Sequence, residues 1–91
     1  MNNLLPLSGG GTNQRIAFLT PRSFAETEAA ILALKEGEVL LCNLAHLGEG
    51  EAQRIADFVS GGTCAICGNQ AEIGNGVYLF APATVKISTA A

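Results

Sequence analysis

The sequence predicts an α/β domain, a five-stranded mixed sheet with two helices. Three observations predict it. Two segments, 24–36 and 49–60, repeat apolar residues at helical spacing. Short apolar or alternating runs bounded by Gly, Asn and Pro mark strands. The order β-α-β-α-β-β-β, with strands gathered late, gives a mixed sheet rather than a wholly parallel one.

Each element has a local reason. Residues 1–13 hold Leu4, Leu5 and Leu7 interrupted by Pro6 and followed by a Gly triplet, a flexible N-terminal tail too broken for a stable amphipathic helix. Arg15–Thr20 is rich in strand formers and stops at Pro21, which cannot continue a central strand. Ser23-Phe24-Ala25-Glu26 has the S-x-x-E form of a capping box, after which Phe24, Thr27, Ile31 and Leu34 share a stripe that ends at Gly37. Glu38–Leu44 is a nearly unbroken apolar run, the pattern of a central strand. Ala52, Ile55, Ala56 and Val59 form the stripe of a second helix, with Gly61-Gly62 as its expected cap. Thr63–Ile66, Gln70–Ile73, Val77–Ala81 and Val85–Ile87 are expected strands, with hairpin-type turns at Gly68-Asn69 and Gly74-Asn75-Gly76. The expected domain is 14–88, and 89–91 form a short C-terminal tail.

Composition narrows the function. The 91 residues are 48% hydrophobic and 14% charged, which suits a compact domain and excludes disorder. The net charge is −3, and the five basic residues (Arg15, Arg22, Lys35, Arg54, Lys86) are scattered, so no patch exists to track nucleic acid. No apolar run reaches the roughly 18 residues of a bilayer span, and the start lacks the pattern of a secretory signal, so a cytoplasmic location is expected.

The three cysteines pose the sharpest chemical question. Cys64-Ala65-Ile66-Cys67 is a C-x-x-C, but it follows a helix instead of opening one, so the helix dipole would not stabilise a thiolate. Cys42, His46, Cys64 and Cys67 make a numerical Cys₃His set, and a small zinc-stabilised or thiol-active module is the alternative reading. Cys42 lies inside the apolar run VLLC and would point into the sheet, which favours packed thiols and a solvated loop histidine. Ser23 is explained as a cap and Asp57 as a polar-face residue; no catalytic set and no phosphate loop is found, and no enzyme activity or cofactor is expected.

Splitting each strand into its two faces leaves both apolar: Ile16 and Phe18 against Ala17 and Leu19, Val39 and Leu41 against Leu40, Cys42 and Leu44, Val77 and Leu79 against Tyr78 and Phe80. Two helices of about three turns cover one face of such a sheet, not two. If both helices share a face, the opposite one is left bare and calls for a second copy, giving a homodimer or a higher assembly, an expectation that one helix on each face would weaken.

The segments LTPRSFAETEAAILALKEGEVLLCNL (19–44), EAQRIADFVSGGTCAI (51–66) and IGNGVYLFAPATVKI (73–87) resemble the core domain of the cell-division protein SepF, and the likeness runs from about Ile16 to Ile87. The resemblance implies a two-layer α/β sandwich, with the two helices on one face of the five-stranded sheet, acting as a non-enzymatic adaptor at the division site that dimerises, polymerises and binds the C-terminal tail of the tubulin-like protein FtsZ. The implied tail-binding residues are Ala52, Tyr78 and the neighbouring Glu72. The family commonly carries a basic residue where Glu72 stands, and such a charge reversal can weaken an acidic tail or select another partner. In the family's pattern the positions of Cys42, Cys64 and Cys67 are ordinary packing and turn positions. Membrane attachment would come from an amphipathic helix that the resemblance places outside this chain.

Overall fold

The computed structural model describes residues 4–8 and 14–88. Its elements are β1 (Leu4–Ser8), β2 (Arg15–Leu19), α1 (Glu28–Lys35, entered through a 3₁₀ turn, Phe24–Thr27), β3 (Val39–Asn43), α2 (Glu49–Ala65), β4 (Asn69–Gly74) and β5 (Val77–Ala81). The sheet order is β1-β2-β3-β5-β4. β2 and β3 are parallel, joined across α1, while β1–β2, β3–β5 and β4–β5 are antiparallel.

Within 14–88 the sheet has four strands, not the five expected of that segment. The remaining strand of the sheet is β1, which lies in the stretch expected to be a flexible tail and pairs with β2 from Leu4↔Leu19 to Ser8↔Arg15. Pro6 is compatible with this because β1 is an edge strand, where a residue without an N–H leaves the rest of the ladder intact. Residues 89–91 and the rest of the expected N-terminal tail lie outside the described residues.

Of the six segments read as strand-like within 14–88, two are not strands. Thr63–Ile66 continues α2, whose 17 residues run straight through Gly61-Gly62. The Thr63 hydroxyl donates to the Val59 carbonyl at 2.8 Å, and Thr63 is buried, so tertiary burial overrides the β-propensity of the segment. Gly62 serves close helix packing: a Cβ there would strike the end of Ile31 on α1. The true stop is a Schellman motif, with Gly68 N–H donating to Thr63 O at 2.8 Å and Cys67 N–H to Cys64 O at 3.0 Å. Gly68-Asn69 is therefore the end of a helix, not a hairpin turn. Val85–Ile87 is not a strand; its Val85 carbonyl is tied to the Asn69 side-chain amide at 2.8 Å.

α1 ends as expected at Gly37, where φ is +88° and the paired bonds Glu38 N–H to Ala33 O and Gly37 N–H to Leu34 O, both 3.0 Å, repeat the Schellman pattern. Its start differs in detail. The Ser23 hydroxyl makes no cap; instead Glu26 accepts from the Arg22 N–H at 3.0 Å, and Glu51 reaches from α2 to accept from the Phe24 N–H at 3.3 Å.

Both helices lie on one face. Ala17, Leu19, Leu40, Cys42 and Phe80 from the strands form one buried cluster with Ala30, Ala33 and Leu34 of α1 and Ile55, Ala56 and Val59 of α2. Register explains the set: Ala17, Leu40 and Phe80 make one cross-strand row, and Leu19, Cys42 and Tyr78 the next. On the opposite face Phe18, Leu41 and Leu79 make a row of half-buried side chains, and Ile16 and Ile73 are exposed.

Candidate binding groove

The helix-side row does not stop at the core. It continues from Tyr78 to Glu72, its partner across the β4–β5 pair, and there the sheet emerges from beneath α2. The emergence forms a groove of about 220 Å³ between the first turns of α2, the loop before it and the β4–β5 hairpin. Leu44, Leu47, Ala52 and Tyr78 give it an apolar floor, while Glu49, Gln53, Glu72 and Asn75 supply polar side chains.

The local chemistry holds this shape. Gly76 closes the hairpin at φ +81°, a backbone region that favours glycine, and a Cβ there would also press on the Ala45 backbone at 3.0 Å. Its carbonyl accepts the Leu44 N–H at 2.7 Å, which ties the hairpin to the end of β3, and its N–H donates to the Glu72 carboxylate at 3.3 Å. Asn43 accepts the Ala45 N–H at 3.0 Å and so turns the chain out of β3 toward α2. Tyr78 is half-buried and stacked on Phe80, with ring centroids 5.9 Å apart and planes 20° from parallel. The core thus fixes the ring while one side of it faces the groove.

Ala52, Tyr78 and Glu72, the three residues singled out from the sequence, line this one groove together. Sequence reasoning missed Leu44, Leu47, Glu49 and Gly76. Leu47 had a signal, an isolated apolar residue in a polar loop; Glu49 looks in sequence like any acid in a first helical turn.

The proposed Cys₃His set is not assembled. Cys42 is fully buried beneath the helices, and burial pushes its thiol up to about 12 from the ordinary 9.0. His46 donates from Nε2 to the Pro21 carbonyl at 2.7 Å, before the start of α2, whereas Cys64 sits near the end of that 17-residue helix, roughly 20 Å away at the usual helical rise. Among the described residues no three His, Cys, Asp or Glu side chains gather as metal ligands. Cys64 is exposed on the final turn of α2, and Cys67, also exposed, lies just past the helix end, where it holds the left-handed position of the Schellman motif at φ +60°.

Fold and groove together define a small two-layer α/β domain with an apolar-floored cleft at one end of its sheet. The family model for cell division protein SepF matches residues 16–87. The cell division protein SepF of Synechococcus elongatus is 39% identical over 88 residues, covering 97% of this chain and 46% of that protein. SepF of Synechococcus sp. strain JA-3-3Ab is 42% identical over 89 residues, covering 97% and 47%. A solved SepF-like protein from Pyrococcus furiosus superposes with a TM-score of 0.76 over 88% of this chain and 100% of that one, at 19% identity, and shares the fold. The chain belongs to the SepF family of cell division proteins, and it spans just under half the length of the curated relatives it matches. Among the described residues no helix is long and apolar enough to cross a membrane.

Proposed function

We propose that this chain is the core of a cytoplasmic cell-division adaptor that works by binding alone: it dimerises through its bare sheet face, assembles further into polymers, and holds the C-terminal tail of FtsZ in the groove at Tyr78. The observation that carries this reading is the convergence of Ala52, Tyr78 and Glu72 on one groove, in a chain of a cell-division family. A half-buried tyrosine braced by Phe80 is the type of rigid aromatic that anchors an apolar peptide side chain at low entropic cost. The apolar row Phe18, Leu41 and Leu79, uncovered by either helix, supports self-association. A dimer would present two grooves, and linking two weak sites gains avidity by raising effective concentration.

The test is titration of a labelled FtsZ C-terminal peptide against the wild type and Tyr78→Ala. Saturable binding by the wild type, weakened at least tenfold by the substitution, is expected. No binding at high micromolar concentration would leave a self-assembling scaffold without an FtsZ contact.

A further inference from the structure

We infer that the groove selects, within the peptide it binds, a segment whose apolar anchor is flanked by lysine or arginine; this rests on the reading of the groove as a peptide site. Glu49 and Glu72 are the charged residues among the described residues lining the groove, and none of those is a cation. Glu72 Oε2 is steadied by the Gly76 N–H at 3.3 Å, and Glu72 has no ion pair with any described residue. Glu49 likewise has none. The cation closest in sequence to Glu49, Arg54, is spent elsewhere, with its guanidinium 4.1 Å above the Phe24 ring.

One feature pulls the other way. The first turn of α2 has no side-chain cap, and its free N–H groups and dipole are worth about half a positive charge. Two full carboxylates, one of them in that same first turn, outweigh it, so the field in the groove favours a cation. The apolar floor supplies affinity without regard to charge, and the two glutamates then choose among flanking sequences, discriminating against acidic ones by repulsion.

The experiment uses two labelled peptides with the same Leu-Phe centre, one flanked by lysines and one by aspartates, titrated against the whole chain at low and moderate salt. The lysine peptide is expected to bind about tenfold tighter, with the preference shrinking as salt rises. Glu72→Lys should reverse or abolish the preference, and Glu72→Gln should reduce it; both changes are at an exposed site. Equal affinity for the two peptides, or preference for the aspartate peptide, with both lost in Tyr78→Ala, would overturn the charge selection while leaving the groove a peptide site. Failure of both peptides to bind any of the proteins would overturn the groove reading and this inference with it.

Discussion

Glu72 and Tyr78 are register partners across the β4–β5 hairpin, so a carboxylate and an aromatic ring stand side by side where the sheet leaves the cover of α2. The two residues differ in what they contribute to the fold. Tyr78 stacks on the fully buried Phe80, whereas Glu72 is exposed and makes one long hydrogen bond. Tyr78→Ala is therefore expected to lower stability by about 1–2 kcal/mol, through lost area and lost ring stacking. Glu72→Gln is expected to change it by less than about 0.5 kcal/mol. Urea unfolding of both variants checks this. A fully unfolded Tyr78→Ala protein would mean that the ring belongs to the core more than to the groove.

The bare face yields a prediction about assembly. Leu79 lies opposite Leu41 on β3 and Ala71 on β4, in the middle of the apolar surface. Leu79→Asp places a charge where a second copy would have to bury it unpaired, at a cost of several kcal/mol to association. In a lone chain that half-buried position still reaches water, and the same change costs the fold about 1 kcal/mol through lost packing and strand propensity. Sedimentation should show the wild type as a dimer or larger and Leu79→Asp as a folded monomer. Identical sedimentation of the two proteins would place the contact between copies on another surface.

The end of α2 offers a test in which neighbouring residues respond in opposite directions. Cys67 occupies the left-handed position of the Schellman motif at φ +60°, where a β-carbon is penalised and glycine is not. Cys67→Gly is expected to stabilise the protein by about 0.5–1 kcal/mol. Gly68, one residue on, has no room: a Cβ would meet the Ala81 carbonyl and the Thr63 methyl, so Gly68→Ala is expected to cost more than about 1 kcal/mol. Thermal melts compare the two. A destabilising Cys67→Gly would show that the thiol makes a contact that outweighs the backbone strain.

That same turn shows what was legible in the sequence and what was not. The helical stripes gave α1 and the buried side of α2 because amphipathic spacing is a local signal: Ile55, Ala56 and Val59 are all buried. Gly61-Gly62 misled because glycine both caps helices and admits close neighbours, and only the position of Ile31 on α1 distinguishes the two uses. Pro6 misled in the opposite direction, since its disfavour in sheets lapses at an edge and edge position is set by the whole topology. Ala52, Tyr78 and Glu72 came from a family resemblance; Leu47 and Glu49 joined them because the loop after β3 and the first turn of α2 fold over the row that ends at Glu72.

Cys42 predicts a loss of stability in alkali. Its thiol is fully buried and pushed up to about 12, against 9.0 for an unburied cysteine, because the core would have to accommodate a thiolate without water. Below the unfolded value the thiol is protonated in both states, and its contribution to stability is complete. Between about 9 and about 12 the unfolded chain releases the proton while the folded chain retains it, so the unfolded state binds fewer protons and stability falls as pH rises. The slope approaches about 1.4 kcal/mol per pH unit within that window and vanishes above it. Cys42→Ala removes the effect at the cost of a small cavity, and every other group that titrates in this range is common to both proteins. Urea midpoints measured from about pH 8 to about pH 11 should converge, the wild type starting higher and falling faster. Parallel curves would mean that the folded protein admits the thiolate, and that the core around Leu19, Leu40 and Tyr78 opens to water far more readily than its packing implies.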